Sequence, residues 1–93
     1  MVVISIENPT DSIKGECTKY LLEIRSGLFV GTISAIVREC LWNMISNDAR
    51  VSGAVLVYSY NNEQGFMMKM YGYPRRRIVD MDGLKLIEYS FDN

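Results

Sequence analysis

Ala54-Val55-Leu56-Val57-Tyr58-Ser59-Tyr60, then Asn61-Asn62-Glu63-Gln64-Gly65, then Phe66-Met67-Met68-Lys69-Met70-Tyr71 is the stretch that decides the fold. Its first segment is β-rich and apolar at odd and even positions alike, as expected of a central strand covered from both sides. The polar linker ends in glycine, the residue that takes positive φ most easily, so the two segments read as a hairpin.

Near the start of the chain, Val2 to Glu7 alternates, with Val2, Ile4 and Ile6 on one face and Val3, Ser5 and Glu7 on the other. This is a strand ending in an acid. After the breaker Asn8-Pro9-Thr10-Asp11, the residues Ile13, Cys17, Tyr20, Leu21 and Ile24 recur at helical spacing, and Gly27 supplies a stop. The spacing predicts a first helix running to Ile24. Leu28 to Val30 leaves room for a short strand, and Thr32 or Ser34 can cap a second helix. Ile33, Ile36, Val37, Cys40, Leu41, Met44 and Ile45 form its apolar stripe. Asp80-Met81-Asp82-Gly83 reads as a further turn, followed by a strand-like Leu84 to Phe91.

Ninety-three residues without a composition break, repeat or linker imply one domain, 1–93, with a core of only moderate size. Two helices then serve four or five strands. They can cover one sheet face, and the other, carrying Tyr, Met, Val and Ile, needs a second cover. The expectation is a ferredoxin-like α/β (α+β) sandwich, mainly antiparallel, that dimerises through its open sheet face as a homodimer. Of the methionines, Met44, Met68 and Met70 fall at core spacing, so they read as packing residues rather than a soft ligand groove.

The longest strictly apolar run is far shorter than the ~20 residues a bilayer span needs. Val2 to Ile6 lacks a basic leader, and two cysteines on predicted helix stripes fit a reducing compartment. The chain reads as cytoplasmic, without a membrane partner. Histidine is absent. That excludes Ser-His-Asp and Cys-His catalysis and any histidine zinc site, and leaves carboxylates with a hard metal ion as the remaining route to chemistry.

The formal net charge is -1, yet Pro74 is followed by Arg75, Arg76 and Arg77. A local cluster of guanidinium forks suits phosphate, which makes nucleic acid the leading partner. A solvated turn, or pairing with Asp80 and Asp82, is the competing reading of this basic tip.

The order Val2-Val3-Ile4-Ser5-Ile6-Glu7-Asn8, then Leu21-Leu22-Glu23-Ile24-Arg25-Ser26-Gly27-Leu28-Phe29-Val30-Gly31, then Ser34-Ala35, Val37-Arg38-Glu39 and Trp42 resembles the second CRISPR spacer-acquisition protein, the Cas-two family in its type I-E form. Asn62-Glu63-Gln64-Gly65-Phe66, Tyr71-Gly72, Arg75 to Arg77 and Val79-Asp80-Met81-Asp82-Gly83-Leu84 are similar to that subtype's hairpin, basic turn and final strand.

The resemblance implies a homodimeric scaffold that bridges dimers of the CRISPR integrase (the Cas-one family) and carries protospacer double-stranded DNA. It maps phosphate contacts to Arg75, Arg76 and Arg77, with Lys14 at the start of helix one and Arg25 matching in position. Ser12 and Glu16 stand where the subtype tends to carry further arginines. Arg25 beside Glu23 has a surface ion pair as its alternative role. The family also places a metal-binding carboxylate at the end of strand one, here Glu7, with Asn8 as a neighbouring oxygen donor. Mg²⁺ held between two symmetry-related copies of Glu7 meeting near a dimer axis would make the chain a metal-dependent endonuclease, an endoribonuclease or DNase, which is the alternative function; a solvated strand-end glutamate is the plain reading. The resemblance further implies that residues 84–91 form an assembly strand.

Overall fold

The computed structural model describes residues 1–73, 76–81 and 83–89. Among them the order is β1 (Val2–Glu7), α1 (Asp11–Thr18), β2 (Leu22–Arg25), β3 (Leu28–Gly31), α2 (Ala35–Ser46), β4 (Gly53–Ser59), β5 (Phe66–Tyr71), β6 (Arg76–Met81) and β7 (Leu84–Tyr89). The first five strands make one antiparallel sheet in the order β2-β3-β1-β4-β5, and β6 and β7 pair as a separate ribbon. Each helix connects strands that are separated by a third, so β1-α1-β2 straddles β3 and β3-α2-β4 straddles β1. That split arrangement is compatible with a ferredoxin-like fold. Among the described residues no helix is long and apolar enough to cross a membrane.

The alternation in β1 buries Val2, Ile4 and Ile6, which join Phe29, Ala54, Leu56 and Tyr58 beneath the helices. Ile13 and Cys17 from α1, and Leu41, Trp42 and Ile45 from α2, close this core. Thr10 and Ser34 cap the two helices by accepting hydrogen bonds from the Ile13 and Val37 amides, each at 3.2 Å.

Directly opposed residues share a sheet face, so the register defines the other side as well. Leu22, Val30, Val3, Val57 and Met68 form one row across the five strands, and Leu28, Ser5, Val55 and Met70 form the next. Most of these side chains are half-buried, and none joins the core.

The first helix is shorter than its spacing predicts. It ends at Thr18, whose hydroxyl donates back to the Lys14 and Gly15 carbonyls, and the chain then turns into β2. Leu21 satisfies the helical and the extended pattern equally. Tyr20, Leu22 and Ile24, however, follow a period of two, and pairing with β3 wins; all three are exposed. The apolar stripe of α2 is also narrower than expected, with Ile36 78% exposed, Cys40 exposed, and Trp42 buried in their stead. Met44 and Met67 pack against the core, whereas Met68 and Met70 lie on the opposite face. Of the expected tip at Arg75 to Arg77, Arg76 and Arg77 are instead the first two residues of β6, and Arg75 lies outside the described residues. Pro74, Asp82 and Phe91 lie outside the described residues.

The two cysteines separate chemically. Burial, reinforced by Glu16 and Glu23, pushes the Cys17 thiol up to about 11, while Cys40 is open on the α1/α2 side beside Tyr20 and Ile36. Iodoacetamide at neutral pH is therefore expected to alkylate Cys40 and leave Cys17 intact until the protein unfolds. Mass spectrometry of the native protein checks this, and equal labelling of both would contradict the packing of α1.

Candidate nucleic-acid interface

The basic positions come from different elements. Arg77 lies on β6 with its side chain largely exposed, and its Nε donates to Glu88 Oε1 on β7 at 2.9 Å. These two residues face each other across the ribbon, so the pair follows from register. Such an exposed pair is worth less than about 1 kcal/mol and can be exchanged for a phosphate at little cost. Asp80 pairs with Lys85 rather than with an arginine, and Lys85 holds its carboxyl below the usual carboxylate range. Arg75 lies outside the described residues, and so does the side chain of Arg76.

Lys14, on α1, reaches Glu23 at 3.7 Å. Glu23 also accepts the Gly27 amide, so it serves the β2–β3 turn and Lys14 together. Arg25, at the end of β2, is exposed and is not the partner of Glu23.

The acidic corner is more tightly built. Glu7 ends β1 opposite Gly53, the first residue of β4. Tyr73, just past the end of β5, donates its hydroxyl to Glu7 Oε1 at 3.2 Å. Its ring lies so close over Gly53 that a Cβ there would stand 2.8 Å from the ring carbon Cζ. Asn8 adopts φ 54, in the left-handed region that Asn tolerates better than most residues, and its Nδ2 donates to Ser52 Oγ at 2.9 Å. The Ser52 amide in turn donates to the Glu7 carbonyl at 3.3 Å.

Tyr73 also lines a cleft of about 290 Å³ together with Met70, Tyr71, Gly72, Arg77 and Ile78. The acidic corner and the basic strand therefore meet at Tyr73, past the end of the β5 edge strand, whereas Arg25 lies at the same strand end on the opposite, β2, edge, with Lys14 reaching Glu23 beside it.

The donor set at Glu7 can be weighed against a divalent ion. At this corner the described residues of one chain offer one carboxylate, already engaged by Tyr73, and one amide oxygen on Asn8. Among the described residues no group of three or more His, Cys, Asp or Glu gathers. Mg²⁺ requires near-octahedral oxygen ligation and is usually shared between one or two carboxylates and substrate phosphates. The described residues of a single chain do not by themselves fit such a site.

A further charged cluster joins α2 to β5. Glu39 on α2 bridges Lys69 on β5 and Arg38, and the Arg38 guanidinium sits 3.7 Å above the Tyr58 ring. Lys69 first, then Arg38, holds the Glu39 carboxyl below its ordinary range, so this link between helix and sheet is complete at neutral pH and is lost as acid protonates Glu39. The lysine inside an otherwise apolar Phe66 to Tyr71 is the sequence signal for it, because Lys69 faces the helix side opposite Leu56.

A family model for "CRISPR-associated protein (Cas_Cas2CT1978)" matches residues 1–86. The chain belongs to this Cas2-type family. The match spans the five-stranded sheet, both helices, β6 and the first residues of β7, so the acidic corner and the basic strand both lie inside it. A CRISPR-associated role follows from membership.

Proposed function

We propose that the protein is the DNA-carrying scaffold of CRISPR spacer acquisition, a cytoplasmic homodimer that bridges integrase dimers and holds the protospacer duplex by its phosphates, as in the type I-E branch. The observation that carries this reading is the apolar row Leu22–Val30–Val3–Val57–Met68 on the sheet face opposite the helices. A self-complementary apolar face on a small domain is most simply closed by a twofold copy. Twofold symmetry would then place two copies of β6, and so two sets of Arg76 and Arg77, on one particle. Lys14 and Arg25 extend the basic surface as secondary contacts.

The direct test mixes the protein with its integrase and a duplex carrying short single-stranded ends. A particle with two integrase dimers per protein dimer supports the scaffold. An isolated subunit that neither dimerises nor recruits integrase would refute it.

The phosphate-contact assignment has its own test. Replacing Arg75, Arg76 and Arg77 together by alanine is expected to leave the fold intact and to flatten the salt dependence of duplex binding. Each lost phosphate contact removes ~0.9 from the log-log slope. Titrations across a salt series check this, and an unchanged slope in folded mutant protein would reduce the arginines to a solvated strand.

A further inference from the structure

We infer that Glu7 and Tyr73 form a latch that sets where the basic strand leaves the main sheet, which makes both of them positioning residues for DNA binding. This rests on the phosphate-binding reading of β6 given above.

Three chain ends converge at the corner. β1 ends at Glu7, β4 begins at Gly53, and β5 ends at Tyr71. Gly72 takes φ 81 with its α-carbon against the Ser52 carbonyl, where a Cβ would collide. The turn that follows β5 is therefore available to glycine alone. It delivers the Tyr73 ring onto the bare backbone of Gly53, and from that seat the phenol reaches Glu7. The hydrogen bonds from Asn8 to Ser52 and from Ser52 to Glu7 fix the acceptor side of the same corner.

Tyr73 stands three positions before Arg76, the first residue of β6, and shares its cleft with Arg77 and Ile78. At its far end the ribbon is held by Gln64, whose side-chain amide donates to the Lys85 carbonyl at 2.7 Å and accepts from the Lys85 amide at 2.6 Å. Because β6 and β7 belong to a separate sheet, their placement depends on such ties rather than on a shared ladder. A carboxylate is the strongest neutral-pH acceptor available to a phenol O–H. This gives an acid at the end of β1 a purpose that requires no metal ion, in keeping with the single-chain donor set described above.

The test uses the full chain and two readouts. In Tyr73→Phe, which keeps the ring, and in Glu7→Ala, amide hydrogen exchange across residues 77–81 is expected to quicken about threefold to tenfold while β1 and β4 keep their protection, as suits the loss of one hydrogen bond. Duplex affinity should fall by a similar factor at an unchanged salt slope, since the same phosphates are touched by a less well-placed strand. Glu7→Gln, whose amide oxygen still accepts from the phenol, should restore most of both properties, with or without EDTA. Unchanged β6 exchange in Tyr73→Phe and Glu7→Ala, or a Glu7→Gln variant as impaired as Glu7→Ala, would overturn the latch. If the wild-type protein fails to bind duplex at all, the DNA reading falls and the exchange data alone decide the latch.

Discussion

Val57→Asp is expected to give a folded monomer that no longer bridges integrase dimers. Val57 is half-buried within the apolar row, with Val3 on one side and Met68 on the other, and it contributes nothing to the core beneath the helices. In a free subunit a carboxylate at this position can reach water, so the fold should survive with native circular dichroism. Against a second copy it would be an unpaired charge pressed onto apolar surface, at about 3–5 kcal/mol per site, and a twofold contact presents the site twice. Dissociation should therefore increase by three or more orders of magnitude, converting about 1.4 kcal/mol to each tenfold. Sedimentation velocity checks this directly. A Val57→Asp protein that sediments as the wild type does would move the dimer contact to another surface.

The second large effect is expected on ending the chain after Gly83. This removes β7 and leaves β6 without its ladder, exposing the backbone groups that Leu84–Tyr89 now satisfy. It also removes the Lys85 backbone that Gln64 grips, together with the apolar side chains of Leu84, Leu86 and Ile87, which are 40–46% exposed. Exposed apolar residues on a ribbon suit an assembly partner rather than the subunit's own core. Integrase recruitment should be abolished and the homodimer weakened, while α1 and α2 keep their helicity because they pack on the five-stranded sheet. Pull-down, sedimentation and circular dichroism separate these outcomes. A truncated protein that still recruits integrase would remove the ribbon from the assembly surface.

Much of this fold was legible in the sequence because several segments satisfy only one period. Val2–Glu7 alternates cleanly, Ala54 onward is apolar on both faces, and the Gly65 turn fixes the hairpin between β4 and β5. The segment after Cys17 reads two ways, because Cys17, Leu21 and Ile24 keep helical spacing while Tyr20, Leu22 and Ile24 keep a period of two. What decides between them is the partner strand β3, a tertiary fact that spacing does not contain. Arg76 and Arg77 likewise read as a turn because a Pro-Arg-Arg-Arg run lacks the apolar alternation of a strand, and β6 exists only through its pairing with β7. At the acidic corner Glu7 and Asn8 stood out as a strand end. Tyr73 did not, because its seat depends on the absence of a side chain at Gly53, twenty positions earlier in the chain.

The placement of β1 at the middle of the sheet also governs how the molecule assembles from its unfolded chain. The β2–β3, β4–β5 and β6–β7 pairings are local hairpins, whereas β1 must pair with β4 from Val2↔Tyr58 to Glu7↔Gly53, closing a loop of some fifty residues. Non-local pairing pays its loop-closure entropy before its contacts form, so it sets the pace of folding. Until β1 is inserted, β3 and β4 have no common neighbour, and the two halves of the sheet are unconnected hairpins. The same insertion carries Glu7 to Gly53 and Tyr73. Hairpins alone would have neither a continuous apolar face nor an acidic corner, so the open sheet face and the corner beside the basic strand are completed together, by the insertion of β1.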